Sequence, residues 1–552
     1  MRRPALFLSS LLILTGLCSN TSLAQMSMLR ASGRSIVNAE GAVVPLVGVN
    51  LGGWFVMEKW MTPLDSGSLP DTYSVMQTLD SRFGVETEQS LIKTFQQSWI
   101  TTADLDNIKN AGFNVVRAPI WWGQFYLLNN QTASGWRADA FEVLDWLVNA
   151  CAARGIYVII DMHGVVGGQS FSDDTGRSGQ NQYWTNGDFQ GDTAYMWWQI
   201  ANHYKGNPTV AGYDLINEPI GTPSSDTVLN LYNQLYQSIR SVDPSHMIIM
   251  EGTWGSWNWS MLPNPNVFGW TNVAYQMHEY QWNAPQSQVE QGAVNQVNDF
   301  NNHASYNVPG YVGEFNDFGF GSATWKFTTN TWNAAGLSWT MWSYKATAGL
   351  IPNSWGFYDP NHWATTPDIS TDSAAAIAAD WQQWTTAATF SLNTALGLSG
   401  NANGGTINTS SWFNIVNANS GLCVDAANQA AANGTFVQQW ACGAQQFNQE
   451  WQLQAQGNGQ YSIATRNAPG EVLDVTGGGT ANGSLIQLWT YGGGANQQWM
   501  PVSVGNGEYK LVGVGSGRCL DVPAASTANG VRLQIYDCNG TAAQAFRLSP
   551  QP

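Results

Sequence analysis

Tyr213-Asp-Leu-Ile-Asn-Glu-Pro219 is a short, largely apolar run that stops on an amide, a carboxylate and a proline. It reads as a buried strand over Tyr213–Asn217 that delivers Glu218 at its carboxyl end. Seven further runs flank it: Pro45–Asn50, Asn114–Pro119, Tyr157–His163, Met247–Glu251, Val273–His278, Tyr311–Glu314 and Leu337–Trp342. Between most of them lie stretches of helical period, among them Ala103–Asn110, Ala138–Ala153, Thr193–Tyr204 and Thr227–Val242. Eight strands separated by helices predict an α/β fold, a (β/α)8 TIM barrel, in which Tyr213–Asn217 is the fourth strand. A doubly wound open sheet is the alternative, and no phosphate-binding glycine motif supports it.

Gly313-Glu314 ends the seventh strand as Asn217-Glu218 ends the fourth. Carboxylates at the carboxyl ends of barrel strands point into the mouth. Two acids there are the minimum apparatus for breaking a glycosidic bond: one protonates the departing oxygen, the other attacks the anomeric carbon. Taken singly, the first motif also reads as a turn, and the second as a partly buried ion-pair partner.

Composition agrees with a neutral, hydroxyl-rich ligand. The 552 residues include 28 Trp against 21 Lys and Arg, and charged residues make up only 11 %. Rigid rings with one polar N–H suit sugars, although part of the Trp set must be core. A net charge of −17 repels phosphate backbones and anionic lipid, so neither nucleic acid nor a membrane is expected as a partner. The six histidines show no metal-ligand spacing and no cofactor fingerprint is present, so neither metal nor cofactor is expected.

Residues 1–24 read as a signal peptide: Arg2 and Arg3, an apolar run over Ala5–Leu17, then Ser22-Leu23-Ala24. A lipid-anchored start at Cys18 is the alternative, disfavoured by Leu17 before it. The expected product is secreted, extracellular and monomeric. Cys151 sits alone in a helical pattern and reads as a buried thiol. Cys423 and Cys442 have the same spacing as Cys519 and Cys538, which in an exported chain argues for two disulfides, Cys423–Cys442 and Cys519–Cys538.

The barrel pattern, assigned to residues 25–398, gives way to a flexible linker over 399–410, rich in Gly, Asn, Ser and Thr. A threefold repeat fills 411–552. Cys423-Val-Asp425, Val472-Leu-Asp474 and Cys519-Leu-Asp521 begin its copies, and Gln449-Glu-Trp451, Gln497-Gln-Trp499 and Gln544-Ala-Phe546 close them. This repeat resembles the ricin B-type β-trefoil, carbohydrate-binding module family 13. The resemblance implies sugar pockets built from Asp425, Gln438, Trp440 and Asn448 in the first copy, and from Asp474, Gln487, Trp489 and Asn496 in the second. The third has Asp521, Gln534 and Tyr536, with Ala543 in the Asn place. The closing aromatics Trp451, Trp499 and Phe546 read as core. The middle copy, with Val472 and Tyr491 where its neighbours have cysteines, is expected to lack the disulfide.

Residues from about 44 to 345 resemble glycoside hydrolase family 5, its exo-β-1,3-glucanase branch in particular. The segments that carry the resemblance are Gly48-Val-Asn-Leu-Gly-Gly-Trp-Phe-Val-Met-Glu58, Asn114-Val-Val-Arg-Ala-Pro-Ile120, Asp161-Met-His-Gly164, Asp214-Leu-Ile-Asn-Glu-Pro219, His278-Glu-Tyr280, Gly313-Glu314 and Trp342-Ser-Tyr-Lys345. It implies Glu218 as acid/base, Glu314 as nucleophile and retention of anomeric configuration. Arg117 is expected to hold Glu314 ionised, Asn217 to bond the 2-hydroxyl, His163 and His278 to reach sugar hydroxyls and Tyr280 to donate to Glu314. Trp342 is expected to floor the sugar site, with Trp339 and Tyr344 as competitors. Glu58 and Asp173 match positions that contact sugar hydroxyls, and both read equally as solvated loop acids. The exo-1,3 branch has two phenylalanines about the leaving sugar where this chain has Ser172 and Asn283; Phe171 and Trp282 are adjacent. The expected function is hydrolysis of β-glucan polysaccharide or oligosaccharide, β-1,3 favoured. An endo-acting β-1,6- or β-1,4-glucanase or a mannanase is the alternative, then a non-catalytic lectin scaffold.

Overall fold

The computed structural model describes residues 26–253, 258–347, 355–361, 364–393, 396, 409, 411–457, 460–505 and 508–551. The signal peptide, Cys18 and the linker apart from Thr409 lie outside the described residues.

Eight parallel strands close into a barrel: β1 Val47–Asn50, β2 Val115–Trp121, β3 Tyr157–Gly164, β4 Val210–Asp214, β5 Met247–Glu251, β6 Val273–Glu279, β7 Gly310–Phe315 and β8 Ser338–Met341. Each pairs with its neighbours in sequence, and β8 pairs with β1. β3, Tyr157-Val-Ile-Ile-Asp-Met-His-Gly164, shows why such runs look uniformly apolar: all eight residues are buried. Val158, Ile160 and Met162 pack outward into the main core, while Ile159 joins the separate cluster inside the barrel.

Inside, side chains recur every second residue. The lower layer is apolar, with Val115, Ile159, Ile249 and Ala274, and Leu29 and Ile36 beside an N-terminal hairpin pack into it. Two residues further along the same strands come Arg117, Asp161, Glu251 and Gln276, all fully buried. The barrel therefore changes from oily to ionic within one step of the pleat, and the ionic layer faces the mouth.

Helices cover the outside. Ser225–Arg240 begins at Ser224, whose side chain accepts the Thr227 N–H, and buries the stripe Val228, Leu231, Tyr232, Leu235, Tyr236 and Ile239. After β8, the helix Ala374–Trp381 returns to the barrel wall: Trp381 meets Phe95 at 5.5 Å between ring centroids and donates to the Pro63 carbonyl.

The fourth strand differs from expectation. It runs over Val210–Asp214 rather than Tyr213–Asn217. Gly212, a breaker by composition, lies inside it, where a Cβ would come within 2.8 Å of the Met247 carbonyl oxygen. Glu218 therefore stands four residues beyond the strand, on a segment tied back by Asn217 N–H to the Met162 carbonyl at 3.0 Å.

Residues 411–551 form the all-β domain, with its own core. Its three copies interlock through hairpins: Leu488 N–H donates to Thr435, Ile535 N–H to Ser484, and Leu533 N–H to Val437. Copy one thus bonds copy two, two bonds three, and three bonds one. Trp451, Trp499 and Phe546 are fully buried in this core. Both expected disulfides are formed, Val472 is buried in the middle copy, and Cys151 is a buried free thiol.

Candidate active site

The mouth is organised by one guanidinium. Arg117 on β2 donates from Nε to Asp214 Oδ2 (2.9 Å), from Nη1 to Asn50 Oδ1 (3.1 Å) and Glu314 Oε1 (2.7 Å), and from Nη2 to Asn217 Oδ1 (2.8 Å). Nη2 also pairs with Asp161 Oδ1 at 2.9 Å. A guanidinium has five N–H donors in a fixed plane, and here they hold groups from β1, β3, β4, β7 and the segment after β4. A buried charge left without its partner costs about 3–5 kcal/mol, so this hub fixes the geometry of everything bonded to it.

Glu314 is held on both oxygens: Oε1 by Arg117, and Oε2 by the Tyr280 hydroxyl at 2.9 Å. Its orientation is thus set before any ligand arrives. Gly313 beside it has no room for a side chain, because a Cβ would stand 2.1 Å from Gln276 Oε1.

Glu218 is held differently. Its backbone is in the left-handed region at φ 37°, a conformation that costs a non-glycine residue on the order of 1–3 kcal/mol. The surroundings compensate: its N–H donates to Glu251 Oε2 at 2.8 Å, and its Oε1 lies 2.8 Å from His278 Nδ1. Its side chain is 22 % exposed, against 6 % for Glu314. Burial pushes the Glu218 carboxyl above the ordinary range, with the charges of His163 and Arg117 opposing the shift.

The two acids share an imidazole nitrogen. His278 Nδ1 is 2.8 Å from Glu218 Oε1 and 3.7 Å from Glu314 Oε2. Those two distances laid end to end cap the oxygen separation at the bottom of the roughly 6.5–9.5 Å range of inverting pairs. Any bend between them moves it toward the about 5–5.5 Å of retaining ones.

The remaining expected residues fall into place with some changes of role. His163 Nδ1 is 2.7 Å from Asp161 Oδ2, and its ring stacks on Trp342 at 5.3 Å and 7°. Burial opposes charge on His163, but its ion pair with Asp161 outweighs burial and raises it to about 9. His278, expected to reach sugar, is instead fully buried between Glu218 and Glu251; burial pushes it down to about 4. Asn217 is bonded to Arg117 with its amide nitrogen 3.4 Å from His163 Nε2. Of the three candidate floors, Trp342 alone borders His163. Trp339 packs among Phe113, Phe315 and Trp325, and Tyr344 donates to Asp104.

Glu58 is buried rather than solvated and accepts Trp60 Nε1–H at 2.7 Å; burial, then the charge of Asp174, raises it to about 8. Asp173 is influenced by Asp71. Burial, then the charge of Glu218, raises Asp174 to about 6, and the charges of both Asp174 and Asp173 add to the rise of Glu58. Trp282 and Phe171 are both exposed, and Trp282 packs with Tyr280, Phe318 and Trp355 at 5.4–5.6 Å.

Two acids beside the site, Glu251 and Asp174, escape the sequence reading. Glu251 carries the same signal as the other two acids, an acidic residue ending a barrel strand. Glu218, Glu251 and His278 are the one trio of acids and histidines among the described residues with ligand atoms mutually within 4.8 Å. His278 Nδ1 is hydrogen-bonded to Glu218 and the Glu218 N–H to Glu251, whereas His278 Nε2 lies 3.1 Å from Glu251 Oε1 without hydrogen-bond geometry.

In the C-terminal domain the same unit appears three times. Asp425 accepts from Gln438 (2.9 Å) and Asn448 (2.7 Å), and Asp474 from Gln487 (2.9 Å) and Asn496 (2.7 Å). Asp521 accepts from Gln534 (2.7 Å) and, with Ala543 in the Asn place, from Gln544 (3.0 Å). Beside these acids Trp440, Trp489 and Tyr536 are 44 %, 43 % and 41 % exposed.

A closed parallel barrel with paired acids at its mouth, followed by a threefold repeat of Asp, amide and open ring, defines a barrel protein carrying a lectin-like module. Comparison with known proteins gives the families. Residues 77–348 match cellulase (glycosyl hydrolase family 5), and residues 411–546 match the ricin-type β-trefoil lectin domain. The chain combines a glycosyl hydrolase family 5 domain with a ricin-type lectin domain. It is 30 % identical over 257 residues to a beta-xylosidase of Phanerodontia chrysosporium, covering 46 % of this chain and 52 % of that protein. It is 32 % identical over 244 residues to "Probable glucan 1,3-beta-glucosidase A" of Aspergillus niger, covering 42 % and 55 %. The chain thus spans about half the length of these curated relatives. The solved rutinosidase of Aspergillus niger is 19 % identical, covers 61 % of this chain and 98 % of its own, and has a TM-score of 0.47.

Proposed function

We propose that this chain is a secreted, retaining β-glycosidase that hydrolyses β-glucan, β-1,3-linked glucan above others, with a C-terminal module that tethers it to the polymer. The carrying observation is the opposed treatment of two acids around one imidazole. Glu314, held on both oxygens by Arg117 and Tyr280, is the nucleophile. Glu218, pushed toward the protonated form and open to solvent, is the acid and then the base.

In the first step a Glu314 oxygen bonds to the anomeric carbon while the glycosidic bond breaks and its oxygen takes the Glu218 proton. In the second, Glu218 removes a proton from water, water bonds to the anomeric carbon, and Glu314 leaves as a carboxylate. Asn217, oriented by Arg117, bonds the 2-hydroxyl. His163 and Trp342 form the floor, and Glu58 and Asp173 contact sugar hydroxyls. In the module, each Asp with its amide bonds two hydroxyls while Trp440, Trp489 or Tyr536 covers the apolar face of the ring.

The relatives named glucan 1,3-beta-glucosidases support the linkage. The relative named beta-xylosidase favours a second reading, a sugar without the hydroxymethyl group. The leader over 1–24 and the two disulfides, which persist in oxidising compartments, support export. We assign 25–398 to the barrel domain, 399–410 to the linker and 411–552 to the module, in a chain that acts as a monomer. Product analysis on laminarin, pustulan, carboxymethylcellulose, mannan and an aryl β-xyloside tests the substrate. Glucose or short oligosaccharides from laminarin are expected; turnover of the xyloside or mannan alone would refute it.

A further inference from the structure

Asn-Gly stands at the same place in each copy of the β-domain, as Asn433-Gly434, Asn482-Gly483 and Asn529-Gly530. The three glycines have φ between 81° and 87°, where any side chain is strained. These turns reach out of their own copy. The Gly530 N–H donates to the Gln439 carbonyl and Asn529 Oδ1 accepts the Ala441 N–H at 2.8 Å, one residue on either side of Trp440. The Gly434 N–H donates to the Leu488 carbonyl and Asn433 Oδ1 accepts the Thr490 N–H at 2.7 Å, on either side of Trp489. The Gly483 N–H donates to the Ile535 carbonyl and Asn482 Oδ1 accepts the Asp537 N–H at 2.8 Å, on either side of Tyr536.

Copy three thus clasps the open ring of copy one, copy one that of copy two, and copy two that of copy three. The buried closing aromatics behave otherwise. Trp451 donates to the Val424 carbonyl and Trp499 to the Leu473 carbonyl, each inside its own copy.

Taking the three Asp-centred units as the sugar pockets of the proposed function, we propose that each pocket is built across two copies, with Asn529, Asn433 and Asn482 as positioning residues that set Trp440, Trp489 and Tyr536 from the neighbouring copy. An exposed ring has little packing to hold it, so its place is fixed by its backbone. Within its own copy that backbone is paired along one edge only, Trp440 with Cys423, Trp489 with Val472 and Tyr536 with Cys519. The neighbour's Asn-Gly turn supplies the bonds on the other edge. A ring set before the sugar arrives loses less freedom on binding. The neighbour's glycine also borders the pocket. A Cβ at Gly530 would stand 3.5 Å from Trp440 Cζ3 and 3.9 Å from Gln438 Oε1, and one at Gly483 would stand 3.9 Å from Gln534 Oε1. The bare turn leaves ring edge and amide uncovered.

Single-pocket forms of the full chain test this, in a Glu314→Gln background that keeps the polymer intact. With Asp474→Ala and Asp521→Ala only the first pocket remains; with Asp425→Ala and Asp521→Ala only the second. Retention on laminarin affinity gels is read against the form lacking all three Asp. Asn433→Ala, although it lies in copy one, is expected to weaken retention about fivefold in the second-pocket form and to spare the first-pocket form. Asn529→Ala is expected to do the reverse. Asn433→Asp and Asn529→Asp keep an acceptor oxygen and are expected to restore retention. Without any sugar, hydrogen exchange at the Thr490 N–H should quicken in Asn433→Ala while the Ala441 N–H is unchanged. Loss in the pocket of the same copy, equal loss in both pockets, or unchanged retention despite faster Thr490 exchange would overturn the proposal. If neither single-pocket form is retained before any Asn is changed, the pocket reading itself falls, and this proposal with it.

Discussion

In the proposed function the barrel mouth and the three Asp-centred units of the C-terminal domain meet neutral, hydroxyl-rich ligands in opposite ways. At the mouth one buried guanidinium, that of Arg117, gathers groups from five parts of the chain, and each acid has a different environment. In the module one small unit, an Asp with its amide beside an open ring, is repeated with little variation. The first arrangement makes two like side chains chemically unlike, as reaction requires. The second makes like side chains do the same modest job three times, as adhesion requires. Loss of one group should accordingly be catastrophic in the barrel and graded in the module.

The largest expected effect is Glu314→Gln, which should lower turnover by at least about 10³-fold while leaving folding and polymer binding intact. Measurable native-like turnover in a folded variant would remove Glu314 from its role. Next is Arg117→Met, which leaves Asp161, Asp214 and Glu314 without the guanidinium they share. It should destabilise the barrel by about 3–5 kcal/mol in denaturant titration, with the melting of the β-domain unchanged; a loss below about 1 kcal/mol would mean the hub is not organising the mouth. Smaller is the paired change Asp425→Ala and Asp474→Ala, expected to weaken retention on insoluble glucan roughly tenfold or more while sparing soluble substrate. Unchanged pull-down would refute both pockets.

The smallest effect concerns pH. Glu58 is raised to about 8, and Glu88, Glu279 and Asp359 to about 7, all chiefly by burial. The native state holds those protons where the unfolded chain has released them, so stability falls as pH climbs through the raised values. His163, raised to about 9 by Asp161 against burial, loses its contribution in the same direction. His278, lowered to about 4 by burial, is neutral in both states above pH 6.5 and contributes nothing there. The melting temperature should therefore drop between pH 6.5 and 8.5, and a rise would contradict the burial of these acids.

How much of this the sequence discloses depends on the range of the interaction. Eight short apolar runs announce the barrel, because buried parallel strands are apolar on both faces. Three in-phase copies of an Asp and a closing Gln-x-aromatic announce the module. Strand four begins earlier than the sequence reading places it and includes Gly212, whose close fit against β5 is visible only once two strands are side by side. Glu251 is the last residue of its strand and Glu314 the last but one of its own, yet nothing near Glu251 in the chain reveals that it bonds the Glu218 backbone. His278 reads as a sugar contact at a strand end, and only the fold reveals a carboxylate on either side of it.

The division of labour between Glu314 and Glu218 is tested most directly by trapping the covalent state. Incubation with a 2-deoxy-2-fluoro-β-glucoside bearing a dinitrophenyl leaving group should add one fluoroglucosyl unit to the intact protein, and peptide mass spectrometry should find it on Glu314. Labelling of another residue, or no label together with inverted product from the unmodified substrate, would contradict it.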